Sequence, residues 1–173
     1  CKYRFGMTGT LDGTQTHRLV LEGLFGKVEK VTSTKQLMDK DTLANLKIKC
    51  LVLKHKEEDC KAVKDLKYSD ELQYIVAHKT RNDFISRLCD KLTGNTLCLY
   101  QLVEKHGLVL YNLMKDFDRK VFFIHGGTDT ETREKIRAIT EEQTNAIIVA
   151  SYGTFSTGIN IRNLHNIVFA SPS

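Results

Sequence analysis

The sequence has 173 residues, of which 41% are hydrophobic and 27% charged, a balance that is typical of a folded globular domain and excludes a disordered chain. No apolar run approaches the roughly 20 residues that a membrane-spanning helix needs, and the first residues lack a signal-peptide pattern, so we expect no membrane partner. Lysine and arginine outnumber aspartate and glutamate by 26 to 21, and the resulting formal charge of +5 mildly favours an acidic partner.

Neither the cysteines nor the histidines follow a metal-ligand pattern. The five cysteines include no C-x-x-C pair, so we expect reduced thiols of a cytoplasmic protein at Cys1, Cys50, Cys60, Cys89 and Cys98. Most histidines are scattered without the spacing of a metal site or a catalytic triad, and the sequence assigns no role to His17, His55, His78, His106 or His165.

The N-terminal part of the chain predicts the end of one folded unit followed by a linker. Residues 3–10 alternate like a strand, and residues 17–25 carry a helical apolar pattern. Residues 27–47 are largely polar and predict a linker, in which a capping-box sequence from Ser33 starts a short helix.

The next part predicts a strand, a loop and a broken helix. Residues 48–53 are typical of a buried strand. The lysine-rich residues 54–67 also hold four acidic side chains, which favours a solvated loop over a nucleic-acid patch. We expect Ser69 to cap a helix whose apolar face continues to Leu92 after a break near Thr80.

The remainder alternates short apolar strands with amphipathic helices. Repeated βα units with continuous apolar strands predict an α/β fold, a parallel sheet with helices on both faces. The expected strands are residues 96–100, 121–124, 146–150 and 166–170, and the expected helices are residues 102–115 and 129–141. Ligands of such sheets bind beyond the carboxyl ends of the strands, which places the candidate segments at residues 8–10, 101–106, 125–128 and 151–160.

One of these segments has the chemistry to bind an anion. Gly126 and Gly127 permit close backbone approach, so that their N–H groups can donate to phosphate oxygens. The spacing of Thr128 and Glu131 predicts a capping box that aims the amino end of the next helix at the same place, where an anion is stabilised. Two arginines of that helix, four residues apart, are expected on its solvated face.

Three segments, taken in order, resemble motifs of the superfamily-two helicases. Residues 6–10 are similar to their third motif, and residues 121–128, VFFIHGGT, resemble a strand-then-His-Gly element of their second motor domain. Residues 147–161, IIVASYGTFSTGINI, resemble their fifth motif. Within that superfamily, most of the chain is similar to the recombination-repair helicases of T-even phages.

The resemblance implies a fold and a domain organisation. The expected fold is a RecA-like parallel β-sheet with helices on both faces, the P-loop NTPase type of a helicase C-terminal domain, here truncated. Residues 1–26 are then the C-terminal edge of the first RecA-like domain, residues 27–47 the linker, and residues 48–173 an incomplete second RecA-like domain.

The resemblance also implies roles for individual residues. The family pattern gives a coupling role, between hydrolysis and domain movement, to Thr8, Gly9 and Thr10. It gives nucleotide binding to Gly158 and Asn160, although many relatives have aspartate at the second position. It gives contacts with the DNA backbone to His125, Gly126, Gly127, Thr128, Ser151, Tyr152 and Thr154. No catalytic residue and no metal ligand is expected in this chain.

The implied activity of the intact protein is ATP-dependent unwinding and branch migration of DNA, including forks and junctions. ATP and Mg²⁺ are the implied cofactors, with the Mg²⁺ site in the first motor domain. Single-stranded and branched DNA, bound without regard to sequence, is the implied partner, together with phage or host recombination proteins. The chain has no G-x-x-x-x-G-K-[ST] loop, no Asp-Glu pair at a strand end and no arginine-rich sixth motif, so we expect it to hydrolyse no ATP alone.

Two other interpretations of the sequence remain open. One is a non-catalytic nucleic-acid-binding module on a helicase-like scaffold. The other is an unrelated flavodoxin-like or Rossmann domain, since a fold class alone permits many functions. The absence of a G-x-G-x-x-G sequence after the first strand argues against a Rossmann domain.

Overall fold

The structure, a computed structural model, describes residues 3–8, 15–40, 43–44, 46–155 and 161–171. It contains two compact units, Cys1–Leu51 and Val52–Ser173. Within the described ranges, no helix is long and apolar enough to cross a membrane. The four cysteines of that part, two exposed and two buried, are free thiols as expected.

Two helices lie in the described residues of the first unit. Helix α1, Gln15–Phe25, ends at Gly26, whose φ of 86° is the left-handed conformation that glycine favours. Helix α2, Thr34–Asp39, begins with the predicted capping box, in which Ser33 and Gln36 exchange side-chain and backbone hydrogen bonds. The strand predicted over residues 3–10 is wrong for the described residues 3–8, which pair with no other strand and expose their apolar side chains.

The strand predicted over residues 48–53 is also wrong. These residues form no strand, and Ile48 and Val52 are 78% and 86% exposed. An apolar run becomes a strand only where a neighbouring strand completes its hydrogen bonds, and no strand among the described residues does so here.

The lysine-rich segment predicted as a loop contains a helix. Helix α3 is Glu57–Val63, and it buries none of its residues. Its first turn is acidic, and negative side chains there are stabilised by the positive amino end of the helix.

A helix, a sharp break and a second helix follow. Helix α4 is Tyr68–Ala77 and helix α5 is Lys79–Lys91, so the predicted break lies at His78. The Nδ1 atom of His78 accepts from the N–H of Arg81 and caps α5. Ser69 does not cap α4 as predicted, because the helix starts one residue before it and Lys67 takes the cap position.

The core of the second unit is a parallel sheet of four strands. The strands are β1, Thr96–Tyr100; β2, Val121–Ile124; β3, Ile147–Ser151; and β4, Asn166–Phe169. Their order is β2-β3-β1-β4, and all pairs are parallel. The four strands predicted for residues 96–170 are each confirmed to within one residue at either end.

Helices join the strands. A π-helical turn, Val103–Gly107, leads into helix α6, Leu108–Met114, where one α-helix was expected. Helix α7 is Thr130–Glu142, and the single-turn helix α8, Tyr152–Phe155, follows β3 directly.

Alternate residues of each strand point to two separate apolar clusters. On one face, Cys98 and Val149 pack with Cys89 of α5 and with Leu110 and Met114 of α6. On the other face, the cluster of Leu97, Leu99, Ile148, Ala150 and Ile124 includes Ile136 of α7. A parallel sheet covered by helices on both faces is therefore confirmed.

Two polar side chains fasten the amino ends of the strands. Arg119 donates to the backbone oxygens of Cys89, Asp90, Leu92, Gly94 and Asn145, at distances from 2.5 to 3.3 Å. Asn95, which is fully buried, donates from Nδ2 to the oxygens of Thr140, Gln143 and Asn163 at 2.9, 2.7 and 2.7 Å. These bonds tie the loops on both sides of the sheet to its amino end.

Candidate functional site

The segments that follow the four strands emerge at one edge of the sheet. Ile124 of β2 lies opposite Ala150 of β3, and Tyr100 of β1 lies opposite Ser151. Leu99 lies opposite Phe169 of β4. We call this edge the carboxyl edge; it consists of residues 101–107, 125–128, 151–154 and 170–171. The sheet thus brings together the predicted segments of the second unit that the structure describes.

The turn after β2 is held by its own side chains. The N–H of His125 donates to Thr128 Oγ1 at 3.1 Å, and the N–H of Gly127 donates to His125 Nδ1 at 3.1 Å. The N–H of Gly126 donates to no atom of the described residues, and a Cβ at this position would meet nothing within 4 Å. The turn therefore offers one exposed backbone donor with open space around it.

The predicted capping box at Thr128 is wrong by one residue. Asp129 caps α7, accepting from the N–H of Thr132 at 2.8 Å and from its hydroxyl at 2.7 Å. These hydrogen bonds lower the pKa of Asp129, so the cap is an ionised carboxylate. Because this negative charge already occupies the amino end of α7, that end is not the open anion site that we expected.

Arg133 supplies a positive charge beside the same turn. Its Nη2 atom donates to the backbone oxygen of Gly126 at 2.9 Å, and its Nε atom is buried without a hydrogen-bond partner in the described structure. The sequence placed this arginine on a solvated helix face, whereas the structure directs it to the glycine turn. An arginine in the first turns of the helix that follows a Gly-Gly turn was the available signal.

The side chains after β3 are bonded within the protein. The hydroxyls of Ser151 and Thr154 lie 2.6 Å apart, and Thr154 is 7% exposed. The Tyr152 hydroxyl donates to the backbone oxygen of Ser171 at 2.7 Å, and its ring stacks on Phe169. Thr154 therefore orients Ser151, which is half-buried and lies nearer the surface.

A buried polar network lies where β1 and β4 end. The N–H of Gln101 donates to Ser171 Oγ, which is 2.8 Å from His106 Nδ1. His106 Nε2 is 3.2 Å from Asn82 Oδ1, and Asn82 Nδ2 donates to the oxygen of Val76. Because the amide oxygen of Asn82 can only accept, His106 carries its proton on Nε2 and accepts from Ser171. The sequence pattern gave no sign of this histidine's role.

Arg81 lies beside this network. Its Nη2 atom donates to the backbone oxygen of Ala170 at 2.6 Å, and its Nη1 atom is buried without a hydrogen-bond partner in the described residues. Burial lowers the pKa of its guanidinium, which remains charged because arginine stays protonated in proteins. A second positive charge with an unused donor thus lies at the end of β4.

Burial of His106 makes stability depend on pH. Its side chain is fully buried, and desolvation, aided by the charge on Arg81, lowers its pKa to about 4. Below pH of about 6.5 the unfolded chain binds this proton first, so stability falls as the pH drops to about 4 and then levels off. The expected loss from this residue is about 3 kcal/mol.

Urea unfolding of the wild type and of a His106→Asn variant across this pH range measures the loss. The variant should be less stable at neutral pH but have a flatter pH profile, whereas His17→Asn should keep the wild-type slope. Equal slopes for His106→Asn and the wild type would contradict a buried neutral imidazole.

Several predicted site residues fall elsewhere. Thr8 lies in the first unit, where it is exposed. Gly9 and Thr10 of the predicted coupling motif, and Gly158 and Asn160 of the predicted nucleotide site, lie outside the described residues. Their roles stay predictions.

Comparison with known proteins shows what this chain is similar to. No protein-family model matches the sequence. The chain is 34% identical, over 173 residues and 98% of its length, to the ATP-dependent DNA helicase UvsW of enterobacteria phage T4. The predicted similarity to a helicase of T-even phages is confirmed. The crystal structure of T4 UvsW matches 68% of this chain with a TM-score of 0.61 and 35% identity.

The likeness to UvsW extends to the fold but covers only part of that protein. The structural match and the four-stranded parallel sheet together confirm the RecA-like α/β class that the sequence predicted. The chain spans 34% of the length of UvsW, and the structural match covers 24% of the solved UvsW chain.

Proposed function

We propose that this chain is part of an ATP-dependent DNA helicase or translocase. In the intact protein the activity is unwinding and branch migration of DNA during recombination, repair and the remodelling of forks and junctions. The observation that carries the proposal is the similarity to a DNA helicase over 98% of the chain.

Nucleotide binding and DNA binding are shared between two motor domains in the intact protein. Residues 1–26 belong to the first domain and residues 48–173 to the second, joined by the linker 27–47. ATP and Mg²⁺ bind mainly through the first domain, while Gly158 and Asn160 contact the nucleotide from the second. Residues 8–10 couple hydrolysis to movement of the second domain, which holds one DNA strand.

The described carboxyl edge supports a grip on the sugar-phosphate backbone. Gly126 offers a free N–H, Arg133 a positive charge beside the same turn, and Ser151 a hydroxyl that Thr154 orients. Donors of these kinds contact phosphate oxygens and carry no sequence information. Such a grip suits a motor that moves along DNA of any sequence.

A salt titration of DNA binding tests this grip. We expect the 173-residue chain to bind a labelled single strand in fluorescence anisotropy, with log affinity falling linearly as log salt rises. Arg133→Gln should weaken binding for all sequences alike and make the slope shallower by roughly 0.7, the value for one phosphate contact on a single strand.

Arg137→Gln is the matched control, because Arg137 lies one turn further along α7 and pairs with Glu134 at 2.9 Å. It should bind DNA nearly as the wild type does. Thr154→Ala should also weaken binding, through loss of the bond that orients Ser151. Binding that is independent of salt, or an Arg133→Gln variant with the wild-type slope, would contradict the grip.

The chain alone is expected to hydrolyse no ATP, with or without single-stranded DNA. Phosphoryl transfer needs a phosphate-binding loop with its lysine, a metal site and an arginine finger together, and the sequence contains none of the corresponding motifs. Release of inorganic phosphate by the purified chain is the measurement. ATP hydrolysis that is stimulated by DNA would show that the assignment of the ATP site to the first motor domain is wrong.

The helicase proposal itself is tested on the intact protein. ATP-dependent separation of a forked DNA substrate is the expected result. Binding of the same substrate without strand separation would instead favour a non-catalytic binding module.

A further inference from the structure

Three side chains of the second unit converge at the junction of helices α3, α4 and α5. His55 precedes α3, Asp59 lies in its first turn, and His78 occupies the break between α4 and α5. One ligand atom from each lies within 4.8 Å of the others. None of the three belongs to the carboxyl edge, and sequence spacing gave no sign of the cluster.

The spacing within this cluster is that of metal ligands more than of a hydrogen bond. His78 Nε2 and Asp59 Oδ2 are 3.5 Å apart, which is too long for a strong hydrogen bond. Two ligands of a tetrahedral Zn²⁺ ion, each about 2.0–2.1 Å from the metal, lie roughly 3.4 Å apart. The rings of His55 and His78 are edge to face, with centroids 5.0 Å apart, so a small movement of the exposed His55 completes the set.

The carboxylate of the cluster is already oriented. The Tyr74 hydroxyl donates to Asp59 Oδ1 at 2.9 Å, which leaves Oδ2 directed at His78. Hydrogen bonds of this kind, from a neighbouring residue to a ligating group, are what holds metal ligands in position.

We infer that His55, Asp59 and His78 form a binding site for a divalent transition-metal ion of the Zn²⁺ class. Two imidazoles and a carboxylate suit Zn²⁺ and its neighbours better than Ca²⁺ or Mg²⁺, which prefer oxygen ligands alone. The fourth coordination position is left for water from the adjoining pocket, which has a volume of about 280 Å³.

Two features limit the affinity of the site. His78 Nδ1 accepts from the N–H of Arg81, and an imidazole that binds metal through Nε2 carries its proton on Nδ1, so metal binding replaces this cap. Lys54, Lys56 and Arg81 also line the pocket, and their positive charge opposes the incoming cation. The site is therefore expected to be reversible and to release its metal to a chelator.

Metal binding is expected to stabilise helix α3, which is held by few packing contacts. Helix α3 buries no residue, and among the described residues its bonds to α4 and α5 run through Asp59, to Tyr74 and His78. A metal ion bound by His55, Asp59 and His78 links the start of α3 to the break between α4 and α5. Slower amide hydrogen exchange in α3 is the expected consequence of metal binding.

Titration of the 173-residue chain with Zn²⁺ alone tests the inference. Calorimetry should show one ion bound per chain, and Co²⁺ in its place should give the strong visible absorption of a tetrahedral site. His55→Ala and Asp59→Asn should each weaken binding by more than the 10- to 100-fold that is typical of losing an orienting hydrogen bond, and Tyr74→Phe by roughly tenfold. His55→Ala removes no hydrogen bond that holds a helix, so it keeps the test valid if other variants unfold.

Two control variants distinguish Zn²⁺ binding at this site from binding by another histidine or by the exposed cysteines. His17→Ala removes a histidine of the first unit, and a Cys50→Ser/Cys60→Ser variant removes both exposed thiols of the described part. Both should bind Zn²⁺ as the wild type does. The inference is overturned if Zn²⁺ fails to bind, if binding survives in both His55→Ala and Asp59→Asn, or if it is lost with the cysteines.

Discussion

Asn95→Asp is expected to destabilise the second unit by at least about 4 kcal/mol, a large part of the stability of an ordinary domain. The Nδ2 group of Asn95 donates to three backbone oxygens, and its Oδ1 accepts from the N–H of Ala146 at 2.8 Å. Aspartate places a carboxylate oxygen against those three oxygens, where water cannot reach it. The buried acceptors then lose their donor and face a negative charge.

Urea unfolding followed by circular dichroism measures this loss. The matched control is Asn145→Asp, the same chemical change at an exposed position near the same end of the sheet. It should alter the free energy of unfolding by no more than about 0.5 kcal/mol, as surface substitutions usually do. A similar, small change in both variants would show that the Asn95 bonds do not hold these loops.

Gly107→Ala is expected to cost about 3 kcal/mol, the upper part of the range for overpacked cores. A Cβ at Gly107 would lie less than 3.0 Å from three ring carbons of Tyr100. Tyr100 is fully buried, its hydroxyl donates to the oxygen of Ile124 at 3.0 Å, and burial raises its pKa to about 12. Because the buried ring stacks on Phe123 and is hydrogen-bonded through its hydroxyl, the π-helical turn has to move instead.

Thermal unfolding of Gly107→Ala and of Gly153→Ala provides the comparison. A Cβ at Gly153 meets nothing within 4 Å, so this control should stay close to the wild type. Combining Gly107→Ala with Tyr100→Leu, which frees the space, should cost less than the sum of the single changes. Additive losses would mean that the two residues do not compete for the same volume.

The strands and the positions of several helices were predictable, because local pattern and final packing agree there. Residues 97–100 and 147–150 are continuously apolar, and both lie in strands buried on two faces. The same reasoning failed for residues 48–53, which are apolar except for Lys49 but pair with no strand of the described residues. Burial depends on a partner, and a partner is not a local property.

The candidate site was partly predictable for a topological reason. Parallel strands end at one edge, so the segments at residues 125–128 and 151–154 had to lie together once the strands were recognised. The chemistry at that edge was less predictable. The cap of α7 moved by one residue to Asp129, and the hydroxyls of Tyr152 and Thr154 form bonds within the protein.

Sequence patterns of short range determine the parallel α/β class, the four strands of the second unit and the resemblance to DNA helicases. Hydrophobic periodicity and motif sequences are local properties of the chain, so they can be recognised without knowing which distant residues are in contact. The tertiary structure alone decides that Arg133 and Arg81 reach the carboxyl edge, that His106 is buried and neutral, and that His55, Asp59 and His78 meet. Arg81, His106 and His78 each make a contact with a group at least 19 residues away in the sequence, and burial and charge act on them only once the fold brings these groups within a few ångströms.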